Sequence, residues 1–156
     1  MYICYVIIIH MKVLAVDYGE KKTGLAISDE LGVVTTKLPV LFADKQRLRL
    51  DGLKQIVIEF DPDIVLFGVP LLNSNGDNPQ VTMIKEFAEL LKTEFGKSAP
   101  NLTKIPQFVF WDESFSSQRA EEGRTRAYVN KKADSDAARL FLQEFLDSPD
   151  GLKLYK

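Results

Sequence analysis

The chain of 156 residues has few of the side chains on which most enzyme active sites depend, with one cysteine and one histidine. A single cysteine, Cys4, cannot form an internal disulfide. A single histidine, His10, leaves no Cys/His set with zinc-ligand spacing and no Ser-His-Asp triad. Any chemistry must therefore use carboxylates, hydroxyls, lysines or bound metal.

Long hydrophobic runs are also missing. Residues 2–9 are apolar, but this run is much shorter than the roughly 20 residues that span a bilayer, so we expect no membrane association. No basic segment or small-residue cleavage site marks a secretory signal. Because residues 11–14 open the first convincing strand, we expect residues 1–10 to be an extension upstream of a misassigned start, with an added β segment as the alternative.

An excess of charge of one sign is absent as well, since the formal net charge is −2. Attraction to nucleic acid would therefore need a local basic patch. The composition, 46% hydrophobic and 27% charged, is that of a globular protein. We expect a single domain at residues 11–147 and a tail at residues 148–156.

The hydrophobic pattern predicts strands first and alternating strands and helices afterwards. Residues 12–17, 23–28 and 33–41 predict a three-stranded antiparallel meander. Residues 45–60 predict a helix, and residues 81–95 predict a second one, with Pro79 in its first turn and Gly96 closing it. The continuous apolar run at residues 64–69 and the segment 105–111 predict two buried parallel strands, and residues 133–147 predict a last helix. The fold class is therefore α/β, a mixed five-stranded sheet flanked by helices.

Three acids are predicted to meet at one edge of this sheet. Asp17 ends the first strand, Asp112 and Glu113 end the last strand, and Asp134 lies on the stripe of the final helix that faces the sheet. Taken singly, each acid also fits a turn cap, an exposed strand end or a helix N-terminal charge. Taken together, gathered carboxylates repel one another unless divalent cations bind them. Asp136 lies about 200° around the helix from Asp134 and is predicted to pair with Arg139 in solvent.

Two segments are suited to phosphate groups. The turn around Asn73 is polar and leads into a helix N-terminus, where backbone amides bind anions. Residues 119–132 form a basic segment, which could contact nucleic acid or be an ordinary solvated helix surface. Its basic residues are Arg119, Arg124, Arg126, Lys131 and Lys132.

These motifs, in this order, resemble those of the YqgF/RuvX family, whose members are described as Holliday junction resolvases and as pre-16S rRNA nucleases. The opening motif extends from Val16-Asp17-Tyr18-Gly19 to Ser28-Asp29. The Gly68-Val69-Pro70 loop, the Asp112-Glu113 pair and the closing helix motif that starts at Asp134 follow. The resemblance covers residues 11–147.

The resemblance implies an RNase H-like fold and a cytoplasmic nuclease that uses Mg²⁺ or Mn²⁺, with two metal ions at the site. Asp17, Glu113 and Asp134 match the family's acidic positions, and Glu113 rather than Asp112 matches the middle one. Lys22 matches the basic residue of the first loop, and we expect Lys21 and Lys22 to contact the substrate. The role that the resemblance implies for this nuclease is maturation of the 5′ end of 16S rRNA during ribosome biogenesis.

Two departures from the family concern substrate contact. Ser114 stands where the family has arginine, and Ser116-Ser117 replaces a threonine pair. A non-catalytic nucleic-acid-binding domain of the same fold is therefore one alternative. A resolvase acting on DNA junctions is another, because junction DNA and precursor rRNA present phosphates to the same metal site. An actin-like ATPase shares the Asp-x-Gly opening but needs two lobes, for which this chain is too short. With no heptad pattern, we expect a monomer or weak homodimer.

Overall fold

The computed structural model describes residues 10–70, 78–97, 102–112, 136–149 and 151. Five strands form one sheet in the order β3-β2-β1-β4-β5. β1 to β3 are an antiparallel meander, and β4 and β5 run parallel to β1. The predicted mixed sheet is confirmed. The strands are β1 Val13–Asp17, β2 Lys22–Ser28, β3 Thr35–Phe42, β4 Ile64–Val69 and β5 Gln107–Asp112.

Helices cover both faces of the sheet. They are α1 Gln46–Phe60, α2 Pro79–Lys97 and α3 Ala137–Asp147. α1 and α2 pack on one face, where Leu53, Phe87 and Leu91 join Phe67 of β4. α3 packs on the other face, where Phe141 and Phe145 meet the opposite side chains of the same strands. No helix in the described ranges is both long and apolar enough to cross a membrane.

The alternation of side chains along the strands assigns every strand residue to one of these faces. In β1, Val13 and Ala15 face α3, whereas Leu14 and Val16 face α1 and α2. β4 is buried along its whole length, because helices cover it on both sides. The same alternation decides which acids share a face.

Several predicted boundaries were wrong for local reasons. Gly96 does not close α2, which continues to Lys97. β5 begins at Gln107 rather than at residue 105, because Pro106 has no N–H for the ladder. The predicted bounds of β4 are confirmed.

The last helix begins at Ala137, four residues later than predicted, with Asp136 as its N-cap. Asp136 does not pair with Arg139 as predicted. Its Oδ1 lies 3.5 Å from Nζ of Lys37 on β3, so the ion pair ties the start of α3 to the edge strand. Asp134, predicted on the helix stripe, lies outside the described residues.

The second half of the opening motif, Ser28-Asp29, has a structural role at the opposite end of the strands from Asp17. Ser28 is buried, and its Oγ accepts a 2.8 Å hydrogen bond from the N–H of Val13. Asp29 Oδ1 accepts hydrogen bonds from the N–H groups of Val33 and Val34, at 2.7 and 3.0 Å. The Ser28 bond ties β2 to β1, and the Asp29 bonds hold the β2–β3 turn, far from the first half of the motif.

Candidate functional site

Asp17 lies at the carboxyl end of β1, where that strand first emerges from the core. The four preceding residues of β1 are buried, and Asp17 is partly exposed. Its partner across the ladder is Gly24, which contributes no side chain over the carboxylate. An open depression of about 350 Å³ results, lined by Asp17, Tyr18, Gly19, Glu20, Lys21, Lys22, Gly24 and Val40.

Two lysines lie in the same depression. Lys22 is the first residue of β2 and stands two residues before Gly24, so its side chain is on the face of Asp17. Lys21 is exposed in the preceding turn, and its backbone carbonyl accepts a 3.0 Å hydrogen bond from the N–H of Ala43. Two carboxylates, of Asp17 and Glu20, and two cationic side chains therefore line one open cavity, an arrangement suited to a phosphate group and a cation together.

The turn that carries these lysines is tight. A Cβ atom added at Gly19 would lie 2.5 Å from the carbonyl oxygen of Lys22, closer than real Cβ contacts allow. Only glycine permits this approach without a shift of the backbone. The glycine of the opening motif therefore sets the path of the chain from Asp17 to Lys22.

A buried arginine, Arg49, holds this turn from below and was missed by the sequence reasoning. The side chain on α1 is 6% exposed, and Nη1 donates hydrogen bonds to the carbonyls of Glu20 and Ala43, the latter at 2.8 Å. Its guanidinium lies 5.5 Å from the centre of the Tyr18 ring. One signal was available, since Arg49 stands four residues before the buried Leu53 and so shares the inward stripe of α1.

Asp112 is buried at the end of β5 but faces away from Asp17. Phe108 and Phe110 pack with α1 and α2, and Asp112 shares their side of β5. Asp17 is on the α3 side of the sheet with Ala15. The two carboxylates therefore lie on opposite faces of the sheet, at the ends of β1 and β5, which β4 separates. Asp112 is poorly placed to share a cation with Asp17.

Most of the other predicted site residues lie outside the described part of the chain. They are Glu113, Asp134, Asn73, Arg119, Arg124, Arg126, Lys131 and Lys132. Within the described part, no group of three or more His, Cys, Asp or Glu residues is arranged to hold a metal ion. Of the three predicted ligands, the structure thus places Asp17, and their grouping stays a prediction.

The strand order and the helices on both faces define the RNase H-like fold. The same fold occurs in the crystal structure of the yeast mitochondrial Holliday junction resolvase Ydc2, with a TM-score of 0.55 and 12% sequence identity. The superposition covers 94% of this chain and 82% of Ydc2. The fold class predicted from the sequence is therefore confirmed.

Within that class the chain belongs to the RuvX family, described as "RuvX: Holliday junction resolvase", which matches residues 11–148. It is 35% identical over 146 residues to a Geobacillus sp. (strain WCH70) protein named "Putative pre-16S rRNA nuclease". That match covers 88% of this chain and 99% of the relative. A Listeria monocytogenes serotype 4b (strain CLIP80459) protein of the same name is 30% identical over 145 residues, covering 88% of this chain and 99% of the relative.

Family membership confirms the enzyme class predicted from the carboxylates and the motifs. The protein is a nuclease, and its partner is nucleic acid. The first half of the opening motif, from Asp17 to Gly24, lines the depression.

Proposed function

We propose that the protein is a metal-dependent endonuclease that hydrolyses phosphodiester bonds in the 5′-end maturation of pre-16S rRNA. The observation that carries the proposal is the depression at the end of β1, in which Asp17 lies with Lys21 and Lys22. Two relatives at 35% and 30% identity carry the name of a pre-16S rRNA nuclease and support the choice of substrate.

The donor set fits Mg²⁺ or Mn²⁺. Asp17 offers hard carboxylate oxygens at a partly exposed strand end, the type of ligand those ions prefer. We propose Glu113 and Asp134 as the other two ligands. Asp112 faces the α1 and α2 layer, away from Asp17, so we propose Glu113, which matches the family's middle acidic position, rather than Asp112. Asp134 precedes α3, which packs on that same side.

The residues have distinct roles in this mechanism. The chemistry that two bound divalent cations supply is Lewis-acid stabilisation of the attacking and leaving oxygens at phosphorus. Asp17, Glu113 and Asp134 would hold those cations. Lys21 and Lys22 bind phosphates of the substrate backbone beside the reacting group, and their positive charges offset the negative charge of those phosphates. Arg49 and Gly19 fix the turn between the acid and the lysines.

Further phosphate contacts belong to the proposal and extend it beyond this depression. Asn73 and the basic residues Arg119, Arg124, Arg126, Lys131 and Lys132 are proposed to bind the substrate backbone on either side of the cleaved bond. We also propose a cytoplasmic location. We propose that the protein is a monomer or a weak homodimer, and size-exclusion chromatography with light scattering measures that oligomeric state directly.

A second candidate is cleavage of branched DNA, since the matching family is described as a Holliday junction resolvase. Both substrates present phosphates to the same cavity. They differ in the sugar and in the branch.

The test uses the purified full chain with Mg²⁺ or Mn²⁺, on a precursor 16S rRNA fragment and on a four-way DNA junction. We expect cleavage of the RNA at the mature 5′ end, and its loss when EDTA is added. Cleavage restricted to the junction would replace the rRNA role with the resolvase role. Absence of cleavage of both substrates would leave the non-catalytic nucleic-acid-binding domain as the function.

A further inference from the structure

An exposed aromatic side chain stands beside the lysines of the depression. Phe42, the last residue of β3, lies directly opposite Lys22 of β2 in the ladder. Its side chain is 75% exposed, the highest value among the large apolar side chains of the described residues. Single exposed apolar residues are common, so the position of this one is what matters.

The ring is on the same side of the sheet as Asp17. The preceding residue, Leu41, packs against α1 beside Gly52, and strand alternation turns Phe42 to the opposite side. Directly opposed residues share a face, so Phe42 and Lys22 project together. From the spacing of the ladder, the Cα atoms of Phe42 and Asp17 are about 12 Å apart, two strands over and two residues along.

We propose that Phe42 is a stacking platform for an unpaired nucleobase of the substrate, next to the phosphate bound at Asp17, Lys21 and Lys22. This inference rests on the proposed nuclease function and deepens it, because it names the form of the substrate near the cleaved bond. Aromatic rings bind single strands by stacking, since every base has a π face, while lysines follow the phosphates. The nuclease then favours a single-stranded segment at this position over a continuous duplex.

A second copy of the chain is the competing occupant of an exposed edge such as β3. Pro39 interrupts the N–H pattern of that strand, and the ladder is irregular between the pairs at Thr23 and Leu25. Proline and irregular pairing on an edge strand disfavour edge-to-edge association. The proposal therefore assigns Phe42 to nucleic acid.

The experiment measures binding of a single-stranded RNA and of a fully paired RNA duplex by fluorescence anisotropy, in EDTA so that no cleavage intervenes. The variants are Phe42→Ala, Phe42→Trp and the control Leu31→Ala. Leu31 is a comparable exposed side chain, 56% exposed, at the opposite end of the same hairpin. A further set of single strands carries one abasic nucleotide at successive positions.

We expect Phe42→Ala to weaken single-strand binding by about 5- to 100-fold, with little change for the duplex. Phe42→Trp and Leu31→Ala should bind as the parent does. At one abasic position the parent should lose the same affinity, and Phe42→Ala should add nothing further, because the stacked base is already gone.

Three results would overturn the proposal. They are an effect of Phe42→Ala below about twofold, an equal loss for the duplex, and a shift from dimer to monomer without loss of single-strand affinity. Failure of the nuclease function is a separate outcome. If the parent protein cleaves no substrate but binds single strands through Phe42, the nuclease function fails and the stacking site stands. If it cleaves its substrate but binds single strands equally well without the Phe42 ring, the stacking site is excluded and the nuclease function stands.

Discussion

The guanidinium of Arg49 lies 5.5 Å from the centre of the ring of Tyr18, the residue that follows Asp17. The same side chain donates hydrogen bonds to the carbonyls of Glu20 and Ala43. A charge on α1 thereby supports the turn that carries Lys21 and Lys22. This contact makes the candidate site depend on a residue that lies beneath it.

Replacement of Arg49 tests that dependence. We expect Arg49→Gln to lower the free energy of unfolding by about 2–3 kcal/mol, because two carbonyls lose their donor in a buried setting. It should also raise KM for nucleic acid, since the turn loses its support. Arg47→Gln is the matched control on the same helix, because Arg47 is an exposed partner of Asp51.

Urea unfolding and steady-state cleavage measure the two effects. The control should change stability by less than about 0.5 kcal/mol and leave KM unaltered. If Arg49→Gln loses stability with KM unchanged, Arg49 is a purely structural residue.

Gly19→Ala should distort the turn directly. The new Cβ atom would lie 2.5 Å from the Lys22 carbonyl oxygen, so the backbone must shift. We expect a loss of about 1–3 kcal/mol of stability and a fall in activity larger than the folded fraction explains. Gly96→Ala is the opposite control, since a Cβ there meets nothing within 4 Å. It should gain up to about 1 kcal/mol at full activity. A Gly19→Ala protein with parental stability and activity would show that the turn adapts freely.

The lysines should govern how salt weakens substrate binding. Lys22→Ala should reduce the slope of log affinity against log salt concentration by about 0.7–0.9, the value expected for one phosphate contact. Lys92→Ala, an exposed change on α2, should leave the slope as it is. Titrations over a range of salt concentrations measure both. Equal slopes for the parent and Lys22→Ala would exclude a phosphate contact at Lys22.

Asp29 should contribute to stability only above strongly acid pH. Hydrogen bonds from the N–H groups of Val34 and Val33 hold the pKa of Asp29 below its ordinary value of 3.8. A lowered folded-state pKa stabilises the protein above that ordinary value, and the contribution is lost as the pH falls through the folded-state pKa.

The comparison is with Asp29→Asn, which does not titrate. The difference in unfolding free energy between parent and variant should shrink as the pH is lowered from about 5 to about 3. Chemical denaturation at successive pH values provides the measurement. A difference that is constant over this interval would show that the charge of Asp29 does not stabilise the turn.

The sheet was predictable because its strands are marked by simple patterns. Ile64–Val69 is a continuous apolar run between Asp-Pro-Asp and Pro70, and its predicted bounds agree with the structure. Gly96 was wrong as a helix end, because the helix cost of a single glycine, about 1 kcal/mol, does not by itself stop a helix.

The site was only partly predictable. Asp17 and its neighbouring lysines follow from a local motif. Arg49 and Phe42 do not, because their roles depend on which elements pack against them or leave them exposed. The choice between Asp112 and Glu113 likewise depends on the assignment of faces, which requires the helices to be placed first.

The most direct test of the central claim, that Asp17 is a metal ligand of the nuclease, compares RNA cleavage by Asp17→Asn, Asp112→Asn and the parent. Thermal unfolding checks that both variants fold. Asp17→Asn should fold normally and lose activity on the order of 100-fold or more, since a metal ligand supplies several kcal/mol to the transition state. Asp112→Asn, altered on the opposite face, should retain activity in proportion to its folded fraction. Full cleavage by Asp17→Asn, with activity lost instead in folded Asp112→Asn, would contradict the account.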